Sequence, residues 1–382
     1  MKKILCSSLI IMLLFSFNAN STSAKWSKDF WDVSYSNSHA SNIYYLAEMN
    51  IIKGYTSSNS YYHQLHYFSP NNNVTKRQVA TMLVRALKLE GANYSNPGFK
   101  DVPLNDPGFK AIAIATQQGF FAKESYFKPN SYITRAEMAN TLMKAFKLTG
   151  STNLNFTDMP THHHAYQAVQ ALAANNITVG NNGRFNPNQT LTRAQFSSFL
   201  TRALLPAARP SIHTIYANAG LVPKTFGKRY TYQGSYEGDK YSLPFSYAYD
   251  TSSGDTTSIR MENSIAQGDM AIEYAETASK FTLDVTMPYN SANLQMPYPI
   301  QLNKLVTIRD SDFYNKVTIA VRDFNGIYKV GNKIYTNVMV VEEKSYLEYS
   351  PQPFQKTYLI AKDVGLLALF THIDNYELLS IY

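Results

Sequence analysis

One block of sequence recurs three times in the first half of the chain, and this internal period constrains the fold more than any single motif. The first copy is Phe68-Ser69-Pro70-Asn71, then Val74-Thr75-Lys76-Arg77-Gln78-Val79-Ala80. The second is Phe127-Lys128-Pro129-Asn130, then Ile133-Thr134-Arg135-Ala136-Glu137-Met138-Ala139. The third is Phe185-Asn186-Pro187-Asn188, then Leu191-Thr192-Arg193-Ala194-Gln195-Phe196. Thr75 and Thr134 are 59 residues apart, and Thr134 and Thr192 are 58. Each repeat opens on an aromatic residue and an acid: Phe30 with Asp32, Phe99 with Asp101, Phe156 with Asp158. That Asp precedes the Thr by 43, 33 and 34 residues, so the first repeat carries an insertion. It falls in the Tyr- and Ser-rich stretch 56–67 and is expected to be a longer surface loop.

Local chemistry makes each unit a helix, a loop and a second helix. Asp32, Asp101 and Asp158 are expected to be N-caps of the first helices. Thr75 with Gln78, Thr134 with Glu137 and Thr192 with Gln195 fit the Thr-x-x-Glu/Gln capping box that opens the second helices. Behind each box runs an apolar face at helical spacing, for example Met138, Leu142, Ala145 and Phe146. Gly91 and Gly150 are expected to stop the first two of these helices. No single repeat can bury its stripes alone, so the three are expected to pack into one pseudo-threefold helical module.

Capping accounts for the Thr, Glu and Gln, but not for Lys76, Arg135 and Arg193. A cation at the first helical position opposes the helix dipole by a few tenths of a kcal/mol. Repeated three times, it suggests a use: a helix N-terminus with a guanidinium is suited to a carboxylate or phosphate. The alternative is that these side chains pair with acids of a neighbouring repeat. The charge of the chain agrees with an anionic partner. Residues 25–206 hold 17 Lys+Arg against 9 Asp+Glu, a net +8, whereas 207–382 hold 16 against 18, a net −2.

The N-terminus, with Lys2 and Lys3 before an apolar run and then Ser21-Thr22-Ser23-Ala24, reads as a secretory signal peptide over 1–24. Its apolar core is shorter than the roughly 20 residues of a membrane span, and no later span is expected. Cys6 is the only cysteine and lies inside this segment, so no disulfide or Cys-based metal site is expected in the mature chain. A secreted protein rarely meets nucleic acid, which leaves acidic wall polymers as the expected partner.

Together, the Phe-x-Pro-Asn loops, the Thr-Arg boxes and the opening Asp resemble the S-layer homology domain in an array of three. The resemblance covers roughly residues 29–204, divided as 29–91, 98–150 and 155–204. It implies non-covalent binding to a pyruvylated secondary cell-wall polysaccharide in grooves between repeats, with Arg135 and Arg193 as principal contacts. It places the protein at a Gram-positive-type cell wall or S-layer. Peptidoglycan itself is a second candidate partner. Lys76 departs from the family's Arg and loses its fork, so its groove is expected to be the weakest; Gln78 and Gln195 depart from the family's Glu.

After a linker at 205–211, the pattern changes to period 2. Roughly ten short strands over 212–382 are expected, among them 229–236, 241–249, 281–285, 317–321, 333–341 and 376–381, with Asp363-Val364-Gly365 as a hairpin turn. The expected class is therefore multidomain α plus β, an α-helical repeat module followed by an antiparallel curved sheet or half-barrel. The end of the chain resembles half-barrel domains of bacterial surface proteins.

No catalytic motif is found. Glu262, Glu273, Glu276, Glu342 and Glu343 are available, but nothing in the sequence pairs two of them. The run His162-His163-His164 points in three directions on a helix and does not suit one metal ion, and His213 and His372 lack metal spacing. No cofactor is expected. Tyrosines such as Tyr230, Tyr232, Tyr236 and Tyr241 are expected to serve sheet packing before sugar stacking. A wall-anchored binding or structural protein is the favoured reading, and a wall-active hydrolase on the same anchor is the alternative.

Overall fold

The computed structural model describes residues 30–59, 62–210, 215–216, 220–224, 228–236, 239–263, 270–287, 290–308, 316–347, 352–371 and 374–381. The expected signal peptide, His213 and His372 lie outside them. Among the described residues the first half holds six α-helices: α1 (Ala40–Glu48), α2 (Lys76–Ala86), α3 (Phe109–Gln117), α4 (Arg135–Ala145), α5 (Tyr166–Ala174) and α6 (Arg193–Leu204).

The capping boxes are made at all three second helices. The Thr oxygen accepts the third-position N–H, and the Gln or Glu side chain accepts the N–H of the Thr itself. The opening acids act differently from the expected N-caps. α1, α3 and α5 begin eight residues after them, and their own caps, His39, Gly108 and Ala165, make no side-chain capping bond. Instead each carboxylate bridges two successive N–H groups in the Phe-x-Pro loop of its own repeat. Asp32 accepts from Phe68 and Ser69 at 2.7 Å each. Asp101 accepts from Phe127 and Lys128 at 2.9 and 2.8 Å, and Asp158 from Phe185 and Asn186 at 2.8 and 2.7 Å. Ser69, Lys128 and Asn186 sit in the left-handed region (φ 57 to 59°), which aims adjacent N–H groups the same way, at one carboxylate.

The turn into each first helix is built by the residue five positions after that Asp. Asn37 accepts from His39 N–H at 2.8 Å, Asp106 from Gly108 at 2.7 Å, and His163 Nδ1 from Ala165 at 3.1 Å. Among the described residues no three His, Cys, Asp or Glu side chains are grouped to hold a metal. Gly91 does not stop α2: the left-handed residue after its C-cap is Lys88 (φ 56°), matched by Lys147 (φ 51°) after α4.

Packing is cyclic. α2 packs on α3, α4 on α5, and α6 returns to α1, so each helix pair joins two repeats. At the centre, Val74 N–H donates to Leu191 C=O (2.9 Å), Leu191 N–H to Ile133 C=O (3.1 Å), and Ile133 N–H to Val74 C=O (3.1 Å). Three buried backbone donors thus satisfy three acceptors around a pseudo-threefold axis. The insertion of the first repeat, expected as a longer surface loop, is an antiparallel hairpin, β1 (Tyr55–Asn59) and β2 (Tyr62–Tyr67).

The second half contains β3 (Ile215–Tyr216), β4 (Tyr230–Tyr236), β5 (Asp239–Asp250), β6 (Thr257–Asn263), β7 (Ala271–Glu276), β8 (Lys280–Met287) and β9 (Asn290–Pro297). It continues with β10 (Ile300–Gln301), β11 (Val306–Ile308), β12 (Lys316–Val330), β13 (Lys333–Tyr346), β14 (Phe354–Ala361), β15 (Gly365–Phe370) and β16 (Asp374–Ile381). β3 pairs with β10; the other twelve form one antiparallel sheet in the order β11-β12-β13-β14-β15-β16-β4-β5-β6-β7-β8-β9. The sheet curls into a nearly closed barrel whose two edges are β11 and β9. Tyr230, Tyr232, Tyr274, Tyr358 and Tyr376 are fully buried, so these rings are core. Asp363 (φ 62°) and Gly365 (φ 86°) form the turn between β14 and β15.

The stretch expected as a linker forms a 3-10 turn at Pro206–Ala208 that packs on β12 and β13 and buries Ala208. α1 also packs on β12. Tyr35 stacks on Phe370 with centroids 4.1 Å apart, Gln355 donates to Ser36 Oγ at 3.0 Å, and Lys329 pairs with Glu48.

Candidate anion-binding grooves

Each second helix starts against the Phe-x-Pro-Asn loop of the next repeat in the cycle. Lys76 and Arg77 N–H donate to Ser131 and Pro129 C=O at 2.9 and 3.0 Å. Arg135 and Ala136 donate to Gln189 and Pro187 at 2.9 Å each, and Arg193 and Ala194 to Asn72 and Pro70 at 2.8 and 3.0 Å. With the third N–H taken by the Thr oxygen, the first three donors of every second helix are spent within the protein. The expectation that a helix N-terminus would help to hold an anion is therefore corrected. The N–H groups fasten repeat to repeat, and only the side chains remain to meet a ligand.

Those side chains divide into two kinds. Arg193 Nε donates to Phe68 C=O at 2.8 Å, and its guanidinium lies 4.4 Å from the Phe68 ring centre and 4.9 Å from that of Tyr55. Arg135 repeats the arrangement, with Nε on Phe185 C=O at 2.5 Å and the head 4.7 Å from Phe185 and 5.1 Å from Phe199. Cation–π contact and one fixed bond orient both forks. Neither makes an ion pair with a carboxylate among the described residues. Burial lowers the pKa of each, offset in part by Asp158 near Arg135 and by Tyr55 and Asp32 near Arg193. A desolvated, unpaired cation is stabilised by any anion that reaches it.

Lys76 is different. Its ammonium lies 2.6 Å from Glu137 Oε1. Burial pushes the Glu137 carboxyl up, but the Lys76 ammonium and the Thr134 N–H more than offset this and hold it below the usual carboxylate range. Of the three cations expected to face a ligand, this one is used in an internal ion pair.

Arg193 is only 5% exposed, yet it forms part of the wall of an open groove of about 280 Å³. Lys53, Tyr55, Arg77, Gln78 and Arg85 line it too. Arg77 is tied to Asp106 at 2.7 Å and Arg85 lies 3.7 Å from Glu90. Gly54 (φ 66°) brings the chain against Phe30 and Tyr67 at the groove edge, where a Cβ would meet Phe30 Cε1 at 2.4 Å. Tyr55 is not legible as a groove residue from local sequence, since its role depends on the hairpin that places its ring over Arg193. Tyr55 also accepts a bond from Gln78 Nε2 at 2.9 Å.

The S-layer homology domain model matches residues 34–80, 98–139 and 155–197, so the chain carries three S-layer homology domains. The chain is 30% identical over 167 residues to the surface-layer 125 kDa protein of Lysinibacillus sphaericus, covering 42% of this chain and 13% of that protein. It is 26% identical over 181 residues to the S-layer protein sap of Bacillus anthracis, covering 46% and 21%. An uncharacterized cell wall amidase of Bacillus anthracis is 29% identical over 150 residues, covering 38% and 28%. The chain thus spans less than a third of the length of each of these relatives. No helix among the described residues is long and apolar enough to cross a membrane.

Proposed function

We propose that this protein, a bearer of three S-layer homology domains, is secreted and held non-covalently at the bacterial cell surface by a pyruvylated secondary cell-wall polysaccharide. The observation that carries the reading is the pair Arg135 and Arg193. Each fork is fixed by its Nε–carbonyl bond, stacked on a ring and left without an acidic partner among the described residues, in the half that carries the net +8. A ketal carboxylate would accept the remaining N–H groups and relieve the desolvated charge. The second half is then displayed outward as a binding or structural domain.

Arg135→Ala combined with Arg193→Ala is expected to abolish sedimentation with purified wall polysaccharide while the helical circular dichroism stays unchanged. Retained binding by that double variant would remove both residues from the site. Walls stripped of the secondary polymer should lose binding too; if they keep it, peptidoglycan is the receptor.

A wall-active hydrolase is the second reading. It is favoured by the likeness to a protein named as a cell wall amidase and by two carboxylates, Asp284 and Glu343, that line one cavity of the second half. Release of soluble fragments from purified walls by the full chain would support it.

A further inference from the structure

The curled sheet leaves a seam. Lys356 on β14 reaches across it, its ammonium donating to Ser291 C=O on edge strand β9 at 2.7 Å. Beside this strap lies a half-open cavity of about 500 Å³, within the range of small-molecule sites. Asp284, Asn293 and Gln295 line one side, and Glu343, Ser345 and Lys356 the other. Val317 and Ile308 add an aliphatic surface between them.

The polar groups form two networks. On one side, Gln295 Nε2 donates to Asn293 Oδ1 at 2.8 Å, and the Asn293 amide donates to Asp284 Oδ1. Asp284 Oδ2 receives no hydrogen bond among the described residues. On the other side, the buried Glu343 accepts from Tyr358 Oη at 2.6 Å and Ser345 Oγ at 3.1 Å, with Lys356 Nζ 3.8 Å away. Both carboxylates are thus positioned before any ligand arrives, which lowers the ordering cost of binding.

The chemistry of the lining selects a ligand class. Two carboxylates against one ammonium leave the cavity net negative, which disfavours an anion. The wall mixes polar and aliphatic surface in nearly equal parts, which suits an amphipathic ligand better than a purely apolar one. Two acids are too few for a protein-held metal site. Carboxylate acceptors, amides that both donate and accept, and an ammonium donor match adjacent hydroxyl groups, while Val317 and Ile308 suit the C–H face of a sugar ring.

We propose that the seam cavity binds a neutral saccharide, so that the protein holds two glycans of opposite character: an acidic one on its helical half and an uncharged one in its β half. The cavity reading stands apart from the anchoring reading, because no residue is shared between the two sites.

The test is calorimetric titration of the full chain with cellobiose, maltose and N,N′-diacetylchitobiose, with glucuronic acid and spermidine as charged controls. At least one neutral disaccharide should bind, and Asp284→Ala and Asn293→Ala should each weaken it about tenfold, the loss of one good hydrogen bond. Both positions are exposed, so these variants should keep the fold. The Arg135→Ala, Arg193→Ala double variant should bind the same sugar unchanged, which separates this site from the anchor. The proposal is overturned if no disaccharide binds at about 10 mM, if binding survives both substitutions, or if either charged control binds more tightly.

Discussion

Arg193 and Lys76 occupy the same position of the same motif and end in opposite states. Each follows a capping Thr, each backbone N–H donates to the loop of the next repeat, and each side chain extends toward that repeat. What differs is the residue it meets. Lys76 reaches the third helical residue of α4, which is Glu137, and forms an ion pair. Arg193 shares its groove with the third helical residue of α2, which is Gln78, and has no carboxylate partner among the described residues. Gln195 holds the equivalent position on α6, the helix that follows Arg135 in the cycle. The two positions where glutamine replaces glutamate are therefore those that leave a guanidinium available. A neutral amide still completes the capping box, so the helix start is kept while the competing charge is removed.

The largest effect should separate these two positions directly. Arg193→Ala should weaken wall-polysaccharide binding by roughly 10- to 150-fold, the range for a hydrogen-bonded charge, whereas Lys76→Ala should change it less than about threefold. Equal losses in a quantitative pull-down would break the comparison. Next in size, Gln78→Glu should give Arg193 an internal partner and weaken binding about tenfold, a loss of about 1.4 kcal/mol. Wild-type affinity in that variant would show that the neutral amide is irrelevant.

The loop under each cation supplies a third test. Asp158→Ala leaves the N–H groups of Phe185 and Asn186 without their acceptor and should cost about 2–4 kcal/mol in denaturant unfolding. Burial pushes the Asp158 carboxyl up, but the bonds from Phe185 and Asn186 more than offset this, and its pKa is lowered from 3.8. A depressed folded value means that the stabilisation is complete above the unfolded value. It is lost as pH falls through the folded one, so acid unfolding below about pH 4 should be blunted in Asp158→Ala. Arg135, whose carbonyl partner is in this loop, should lose ligand affinity in the same variant.

The smallest effect concerns the contact between the helical half and the β half. Arg85 on α2 donates to Ile51 C=O at 3.3 Å, and its repeat equivalent Arg202 donates to Ile177 C=O at 3.3 Å. Arg202, however, also faces the β half. Burial there pushes Asp323 up to about 6, against the pull of the Asn325 N–H and Arg202. Burial, with Arg202, pulls His39 down to about 4. The two act in opposite directions. Between about pH 4 and 6 the folded chain binds more protons at Asp323, so that group lowers stability as pH rises. The unfolded chain binds more protons at His39, so that group raises stability over about pH 4 to 6.5. Asp323→Asn alone should leave a stability that climbs with pH in this window, and His39→Gln alone one that falls. Parallel, flat curves for both would place these groups outside the coupling between halves.

The sequence by itself determined the repeats, the second helices and their capping boxes, because these depend on contacts three residues apart. It also determined most strands, where burial on one face imposes alternation. β9 escaped notice because Asn290, Asn293, Gln295 and Pro297 are poor strand formers, acceptable at a sheet edge bonded on one side only. Tertiary structure decided what depends on distant partners. Asp32, Asp101 and Asp158 look like helix caps locally, but meet a loop 26 to 37 residues away that offers two adjacent N–H groups. Only the cyclic packing set Glu137 against Lys76, and Gln78 beside Arg193. Likewise, only the curl of the sheet brought Asp284 and Glu343, 59 residues apart in the chain, to one cavity. Local hydrogen bonds are written in sequence spacing; charge pairing across a fold is written in three-dimensional distance, and spacing does not encode it.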